Sequence, residues 1–279
     1  SVLLQTYPYV ELLVFDDGST DDTPDILASY GKQFYWESHK NIGQSATLNK
    51  GWKMSKGAII SYLSADDVLE PLAVETAVNH FHLNNDILVY GDYSLIDAES
   101  NVIGKICTLE YKYSEMISKI IVQPGPGVFF YKKMFDKIGG WDESLHQIPD
   151  YDYWIRLGLL GEFSRIPKLL ARYRVHEKSQ SYINSNVEGA EECVKVINKY
   201  FMNKALPREI LAMESKAKSF AHLIVARHHL IAGRYVLMLS AIKKAWGISI
   251  LSIFSLRMIQ LLGNGIVFRI RRLISEIKN

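Results

Sequence analysis

Two pairs of adjacent carboxylates follow apolar segments of the chain. Asp16 and Asp17 end the apolar part of VELLVFDDGSTDDT, and Asp66 and Asp67 end that of AIISYLSADDVLEP. Adjacent carboxylates repel each other unless a positive charge lies between them and a ligand. A divalent cation held by one or two carboxylates and by substrate phosphates meets this need. An aspartate at such a position can also accept hydrogen bonds from a nucleobase or a ribose, so the two segments suggest a nucleotide and metal site.

Each pair also has a purely structural interpretation. Gly18 permits a sharp turn and Ser19 and Thr20 can cap a following helix, so the first pair also fits a strand-to-helix turn. The second pair also fits an acidic surface turn. An EF-hand needs acids at alternate positions with a distal Glu, and a phosphate-binding loop needs Gly-Lys-Ser/Thr. Neither pattern is present in these two segments.

A third acidic segment, DYDYWIRLGLLG, offers a general base. Asp150 stands near the start of a predicted helix that ends before Gly161, and its structural alternative is a helix cap, typically worth ~1 kcal/mol. Asp152 is the second candidate base. Two residues correspond to roughly 200° of helix, so both cannot face one site if the helix has already begun. Arg156 on this helix is equally suited to an ion pair and to a phosphate contact.

Alternating elements must position these residues. Apolar runs predict strands at 10–15, 34–36, 58–63 and 87–90, and helical patterns lie at 24–30, 44–54 and 71–83. This alternation predicts a mostly parallel, three-layer α/β sheet, in which ligands bind at the carboxyl ends of the strands. Two more strands are expected at GVFFYKK and LLARYRVH. From Glu188 onward the pattern is helical, with two helices joined at Gly233.

The beginning of the sequence, SVLLQTYPYVE, has the pattern of the last turns of an amphipathic helix followed by a turn that contains Pro8. In an α/β protein a strand normally precedes such a helix. We therefore expect that the sequence starts inside a domain and that its first strand is missing.

Composition narrows the class of protein only slightly. The net charge of +2 over 279 residues gives no indication of a nucleic-acid partner, and none is expected. Cys107 and Cys193 fit neither a disulfide framework nor a metal cluster, which favours a reducing compartment. No signal peptide is visible, and no uncharged apolar run reaches the ~18 residues that span a bilayer.

Three ordered segments resemble glycosyltransferase family 2. Residues 1–23 are similar to that family's entry to its first aspartate motif, and residues 41–71 to the segment that leads to its metal-binding motif. Residues 123–181 are similar to its acceptor half, with a Gly-Gly-aromatic-Asp turn at Trp141 and a strand that ends Tyr-Arg-x-His. The resemblance implies an α/β GT-A fold, a Rossmann-like mixed sheet flanked by helices, for an N-terminally truncated domain at 1–185. A helical extension at 186–279 follows it.

The resemblance also implies a role for each candidate residue. The nucleotide would be bound by Asp16, Asp17, Asn41 and Asp66, and a metal by Asp67 and His176. The base would be Asp150 or else Asp152. The acceptor side would be served by Gln123, Trp141 and Arg156. The family's metal motif often has an acid or Asn where this chain has Ser64. An acid commonly precedes the base where this chain has Pro149.

The implied activity is inverting transfer of a sugar from a nucleotide-diphosphate sugar to a hydroxyl of a glycan or lipid-linked acceptor. A UDP-sugar is favoured, GDP and dTDP remain open, and a Mn²⁺ or Mg²⁺ cofactor is expected. The alternatives are a sugar nucleotidyltransferase, which would need a Gly-rich phosphate loop after its first strand, and an inactive fragment or binding domain.

The C-terminal segment 248–279 combines many apolar residues with basic residues that include Arg257 and Arg269, and Glu276 is its one acid. It fits a helical bundle, a partner-binding hairpin or a helix in a membrane interface, and its arginines argue against a spanning helix. Because membrane-proximal acceptors are common in the family, we expect a cytoplasmic protein in peripheral contact with the inner face of the cell membrane.

Overall fold

The chain divides into two compact units. The computed structural model describes residues 1–176 and 186–278, without the side chains of residue 253 and of residues 271–278. The sheet unit comprises Ser1–Tyr111 with residues 123–176, and the helical unit comprises Lys112–Val122 with residues 186–278. The domain boundary expected between residues 185 and 186 adjoins residues 177–185, which lie outside the described residues.

The described part of the sheet unit contains eight strands. They are β1 (Leu13–Asp16), β2 (Tyr35–Ser38), β3 (Ile59–Ser61), β4 (Val68–Leu69), β5 (Leu88–Ile96), β6 (Val102–Ile106), β7 (Phe129–Tyr131) and β8 (Phe163–Arg174). All four strands predicted from apolar runs in the first 90 residues are present, and so are the two predicted at GVFFYKK and LLARYRVH.

The strands form two sheets. β1 and β2 pair in parallel by themselves, with Asp16 opposite Ser38. The larger sheet has the order β3-β7-β5-β8-β4, and β6 adds to β5. In the larger sheet β5 and β8 are parallel, whereas its other strand pairs are antiparallel. Both carboxylate pairs therefore follow strands, but the strands belong to different sheets.

The expected mostly parallel sheet is wrong, because the larger sheet is mixed. The alternation of strands and helices holds only for the first part of the chain. After β5 the chain reverses through a tight turn, where Asp97 Oδ1 accepts a hydrogen bond of 2.8 Å from the N–H of Asn101. Such a short connection can join only antiparallel strands.

The helices of the sheet unit are interspersed among its strands, and one of them packs on the larger sheet. The sheet unit contains α1 (Thr23–Ser29), α2 (Gln44–Met54), α3 (Ala73–Leu83), α5 (Lys132–Ile138) and α6 (Pro149–Leu157), and α4 (Tyr113–Lys119) belongs to the helical unit. Ala73, Ala77 and Phe81 of α3 pack against Val89 and Leu170 of the sheet in one buried cluster. The small alanines allow α3 to approach the sheet closely.

An aromatic cluster joins α2, β7 and α6. Trp52 of α2 is buried, and its ring lies 5.2 Å from Phe130, 5.9 Å from Trp141 and 5.5 Å from Tyr153, measured between ring centroids. Its Nε1–H donates a hydrogen bond of 3.2 Å to the carbonyl of Ser61 at the end of β3. The cluster therefore fixes the end of β3 relative to the start of α6, where two of the candidate site segments lie.

The helical interpretation of the first residues is wrong. Residues 1–12 form turns and irregular structure. Gln5 is used instead to anchor α3: its Nε2 donates to the carbonyl of Glu70 at 2.8 Å, and its Oε1 accepts from the N–H of Val74 at 3.0 Å. These bonds help to satisfy free backbone groups at the start of α3.

The described part of the helical unit contains α4 together with α7 (Val187–Met202), α8 (Arg208–Leu211), α9 (Glu214–Ile231), α10 (Tyr235–Ile248), α11 (Ile250–Ile253) and α12 (Leu256–Lys278). Val225 and Ala226 of α9 pack against Ala241 of α10. Gly233 has φ = +73° between α9 and α10, as the predicted helix junction requires. None of the helices in the described residues is long and apolar enough to cross a membrane.

Candidate active site

Asp16 organises the turn after β1. It is buried, and its Oδ1 accepts a hydrogen bond from the N–H of Ser19 at 3.0 Å while its Oδ2 accepts from Ser38 Oγ at 2.6 Å. The hydrogen bonds from Ser19 and then Ser38 hold the pKa of Asp16 below its ordinary value. Asp16 is thus an ionised carboxylate that binds β1 to β2 and closes the turn.

Asp17 holds the loop that leads into α2. Its Oδ1 accepts a hydrogen bond from the N–H of Ile42 at 2.7 Å, and its Oδ2 accepts from the N–H of Gly43 at 3.0 Å. His39 Nδ1 lies 3.6 Å from Asp17 Oδ1. Gly18, at φ = +82°, lies so close to this loop that a Cβ would sit 2.7 Å from the backbone nitrogen of Asn41. The structure therefore brings Asp17 and Asn41 together, and adds His39, which the sequence patterns did not indicate.

The second carboxylate pair meets the end of β8. His176 Nε2 lies 3.1 Å from Asp66 Oδ2, and both side chains are partly exposed. Asp67 is buried, and its Oδ1 accepts a hydrogen bond from the N–H of Arg174 at 2.9 Å. His176 is therefore placed beside Asp66, whereas Asp67 is held by the backbone of β8.

Arg174, at the end of β8, connects that strand to the backbone at Asp66 and at Asp97. Its Nε donates to the carbonyl of Asp66 at 2.8 Å, and its Nη1 donates to the carbonyl of Asp97 at 2.6 Å. Burial raises the pKa of Asp67 to about 6; the N–H of Arg174 opposes this shift and the charge of Asp66 adds to it. Asp67 is thus a carboxylate that the fold desolvates, beside a neighbour that remains accessible.

Asp150 lies in the first turn of α6. Its Oδ1 accepts a hydrogen bond of 2.8 Å from the N–H of Tyr151. Burial raises the pKa of Asp150 to about 6, against the lowering effect of that N–H. A carboxylate with a pKa near 6 is ionised at neutral pH and still basic enough to accept a proton, which is the balance that a general base requires.

Tyr62 is influenced by both Asp67 and Asp150. Burial raises its pKa, and the charges of Asp150 and then Asp67 raise it further, so both carboxylates act on the same phenol. Its ring packs edge-on against Trp141, with 5.1 Å between ring centroids. Tyr62 follows β3 within the apolar run that was predicted as a strand, and sequence reasoning missed it because an aromatic residue there is typical of core.

Asp152 is engaged in an ion pair. It is buried, with its Oδ2 2.8 Å from Arg156 Nη2 and 2.9 Å from Arg156 Nε. Arg156 also donates to the carbonyls of Ile138 and Gly140, at 3.0 and 2.7 Å. The helix has begun at Pro149, so Asp150 and Asp152 point in different directions. This network uses Arg156 and Asp152 to attach α6 to the turn that precedes Trp141.

Trp141 is clamped by Asn49 of α2. The Trp141 N–H donates to Asn49 Oδ1 at 2.8 Å, and Asn49 Nδ2 donates to the Trp141 carbonyl at 2.9 Å. Gly140 is required here because any Cβ would overlap the Asn49 side chain. The indole Nε1 of Trp141 is buried and has no hydrogen-bond partner among the described residues. This unused donor belongs to the same ring that packs against Tyr62.

Gln123 holds a loop of the sheet unit. Its Oε1 accepts a hydrogen bond of 2.8 Å from the N–H of Leu109. In the same loop, a Cβ on Gly125 would lie 3.3 Å from the ring of Tyr93. The amide of Gln123 is thus occupied in part by the backbone, and the loop is packed against β5.

The candidate residues therefore form groups. Asp66 and His176 are in contact, Asp67 adjoins them, and Tyr62 links Asp67 electrostatically to Asp150. Asp17 and Asn41 form a second group beside the β1–β2 pair. Within the described residues no cluster of three or more His, Cys, Asp or Glu side chains could hold a metal ion alone.

Solved structures define the class of fold. S. aureus TarS in complex with UDP-GlcNAc matches with a TM-score of 0.63 at 15% identity, over 96% of this chain and 83% of that one. The mannosyltransferase PcManGT from Pyrobaculum calidifontis, in complex with GDP-Man and Mn²⁺, matches with a TM-score of 0.58 at 15% identity, over 99% of this chain and 80% of that one. At such identities the likeness shows the fold alone. It confirms the expected GT-A fold of glycosyltransferases.

Sequence comparison gives the family. The model of the family described as Glycosyl transferase family 2 matches residues 1–139. An uncharacterized glycosyltransferase of Rickettsia typhi is 30% identical over 229 residues, which are 79% of this chain and 71% of that protein. Chondroitin synthase of Escherichia coli is 30% identical over 203 residues, 71% of this chain and 29% of that protein. The chain belongs to glycosyltransferase family 2, and it is a transferase.

Proposed function

We propose that the chain transfers a sugar from a nucleotide-diphosphate sugar, with a UDP-sugar as the favoured donor, to an acceptor hydroxyl with inversion at the anomeric carbon. The observation that carries this proposal is the contact between Asp66 and His176, together with the charges of Asp67 and Asp150, which both act on the phenol of Tyr62. Such a site offers a place for an anionic leaving group at one end and a base at the other.

Asp66 and His176 fit a divalent cation. A carboxylate oxygen and an imidazole nitrogen lie 3.1 Å apart, and both donor types suit Mn²⁺, while carboxylate suits Mg²⁺. Two protein donors leave positions for the oxygens of a diphosphate, as is usual for such ions. When bound, the cation would stabilise negative charge on the departing diphosphate. Because the imidazole of His176 contacts the carboxylate of Asp66, we propose that Asp66 is the carboxylate ligand of the cation. Asp67 would be its buried neighbour in the chain.

Asp150 would act as the general base. The acceptor hydroxyl loses its proton to Asp150 as its oxygen bonds to the anomeric carbon, and the bond from that carbon to the diphosphate oxygen breaks. Attack from the side opposite the diphosphate inverts the anomeric centre. The raised pKa of Asp150 supports this role, and a base so placed contributes about 10²–10⁴-fold to the rate.

The nucleoside would lie by Asp17 and Asn41. Asp17 already accepts two backbone N–H bonds, and each carboxylate oxygen retains a lone pair for a base N–H or a ribose hydroxyl. Asp16 would support Asp17 by closing the turn. We propose that Trp141, through its unused indole N–H, and the loop at Gln123 contact the acceptor.

The acceptor is proposed to be a glycan or a lipid-linked saccharide at the cytoplasmic face of the membrane. Support comes from exposed apolar side chains on the outer faces of α10, α11 and the start of α12. Trp246 is 58% exposed, Leu251 81% and Phe254 76%. From Lys243 to Arg272 the charged residues are all basic, so peripheral contact of this region, including 248–279, with an anionic bilayer is favourable.

A donor screen tests the proposed reaction. UDP-, GDP- and dTDP-sugars are each incubated with the chain in Mn²⁺ or in EDTA, and release of the nucleoside diphosphate is measured. NMR of the released sugar then reports the anomer formed. We expect turnover of a UDP-sugar only with the metal and with inversion. Turnover that is unaffected by EDTA, or that retains the anomeric configuration, would contradict the proposed mechanism.

A further inference from the structure

The sheet unit contains a groove between the start of α3 and the strands β5, β6 and β8. Its volume is about 550 Å³, and small-molecule sites usually measure roughly 300–1,000 Å³. We call it the α3–β8 groove, and its walls include Leu72 just before α3, Val102 of β6 and Lys168 of β8. None of the residues proposed for sugar transfer lines this groove. It is therefore a second concave surface of the same unit.

Aliphatic side chains form much of the wall of the α3–β8 groove. Leu72 is 56% exposed, Val102 62% and Leu169 37%, and Pro71 adjoins Leu72. Exposed apolar side chains that converge on one concave surface, instead of being scattered singly, indicate a binding surface. None of the described lining residues is aromatic. The wall therefore suits an aliphatic chain better than a flat ring.

One cation of the groove is neutralised by an acid of the groove. Arg172 Nε donates a hydrogen bond of 2.7 Å to Glu70 Oε1, and its Nη2 donates one of 3.1 Å to Glu70 Oε2. This two-bond arrangement is the most favourable one for a guanidinium and a carboxylate. The two residues belong to the paired strands β4 and β8 and their junction with α3, where Val68 lies opposite Arg172. Arg172 and Glu70 thus form a fixed, neutral part of the wall.

The second cation, Lys168, is exposed and has no such partner. Its side chain forms no ion pair and no hydrogen bond with the described residues. Ile166 and Leu169 pair with adjacent residues of β5, so the two residues between them are left out of the ladder. Such an irregularity re-aims a side chain and interrupts the regular alternation of a strand. Because the other ionisable lining residues neutralise each other, the groove has one excess positive charge.

We propose that the α3–β8 groove binds a linear aliphatic carboxylate. The chain lies against Leu72, Val102 and Leu169, and the carboxylate accepts hydrogen bonds from the ammonium of Lys168. A hydrogen bond between an ammonium and a carboxylate is stronger than one between neutral groups. The single excess charge matches a monoanion, whereas the carboxylate of Glu70 would repel a second negative charge on the ligand. The proposal goes beyond the sugar-transfer reaction and does not depend on it.

Three probes separate the contributions of chain and charge. The full chain is titrated by calorimetry with octanoate, with acetate, which lacks the chain, and with octyl glucoside, which lacks the charge. The concentrations stay below the level at which the probes form micelles. We expect octanoate to bind at least about tenfold more tightly than either of the other two, a difference of about 1.4 kcal/mol.

Two pairs of variants place the binding in the groove. Lys168→Gln removes the cation, and Lys137→Gln removes an exposed lysine of α5 that does not line the groove. Leu72→Ser removes part of the aliphatic wall, and Leu83→Ser makes the same change at an exposed leucine at the other end of α3. Ser is a favourable residue before a helix, so Leu72→Ser should still fold. Octanoate that binds elsewhere contributes equally to a variant and to its control.

We expect Lys168→Gln and Leu72→Ser each to bind octanoate about tenfold more weakly, while the two controls keep the affinity of the wild type. Lys168→Arg keeps the charge and should retain most of the binding. The proposal would be overturned if octanoate did not bind, or if octyl glucoside or acetate bound as tightly. Equal affinities of each variant and its control for octanoate would overturn it as well.

Discussion

Asp150→Asn is predicted to remove sugar transfer and to make the folded protein more stable at neutral pH. Burial raises the pKa of Asp150 from 3.8 to about 6. A difference of about two pKa units corresponds to about 3 kcal/mol of unfolding free energy. The lowering effect of the helix N–H groups is already included in this pKa, and Asn carries no charge to desolvate. The expected gain for the variant at pH 7 is therefore about 3 kcal/mol.

The contribution of Asp150 to the stability of the fold depends on pH. Because the folded-state pKa of Asp150 is raised, the protonated group favours folding below pH 4, and this contribution is lost as the pH rises through about 6. The stability advantage of Asp150→Asn should be absent at pH 4 and complete at pH 7. Urea unfolding at the two pH values measures it. The raised pKa of Asp67 is common to both proteins and cancels in the difference.

Asp152→Asn is the matched control, since it makes the same chemical change two residues along α6. It weakens a buried hydrogen bond to Arg156 and should cost about 1.5–3 kcal/mol, the usual contribution of a hydrogen bond to a charged group. Its transfer rate per folded molecule should be largely retained. If Asp150→Asn were destabilising at pH 7, or kept its rate, Asp150 would be a helix cap and the proposed base would be refuted.

Three further predictions concern activity, packing and membrane contact. The wild-type kcat/KM should fall below a pH of about 6 as Asp150 takes up its proton, and a profile flat to pH 4 would exclude it as base. Gly140→Ala should lower the free energy of unfolding by about 1–3 kcal/mol, because its Cβ would displace the Asn49 side chain. Gly247→Ala is the control: it has open space around it and should raise the free energy of unfolding by up to about 1 kcal/mol. Equal effects of the two substitutions in chemical unfolding would refute this packing. Trp246→Ser/Phe254→Ser should reduce sedimentation with vesicles containing phosphatidylglycerol, and unchanged sedimentation would speak against this surface.

Elements with strong local signals were predictable from the sequence. The helix at 44–54 was predicted with its observed bounds, and Gly43 stands at its N-cap. The junction at Gly233 was predicted because glycine alone adopts φ = +73° without strain. The two carboxylate pairs were recognised because each follows an apolar strand.

Features that depend on distant contacts were not predictable. The proximity of His176 to Asp66 joins residues 110 positions apart, so nothing local distinguishes Asp66 from Asp67 as its partner. Asp16 and Asp17 look equivalent in the sequence, yet only Asp16 accepts a hydrogen bond from Ser38 of β2 in the described structure. The sheet was misjudged because β7 and β8 pair antiparallel with strands far away in the sequence, and such pairings leave no local signal. Tyr62 was missed because its interest comes from the charges of Asp67 and Asp150, which act on it in the fold, and not from its place in the sequence.

The central claim is a nucleotide site that shares a divalent cation with Asp66 and His176. Calorimetric titration of the chain with UDP, in Mn²⁺ and in EDTA, beside Asp66→Asn, tests it most directly. We predict binding in Mn²⁺ that is lost in EDTA and in Asp66→Asn. UDP binding that is equally tight without Mn²⁺, or that survives in Asp66→Asn, would contradict it.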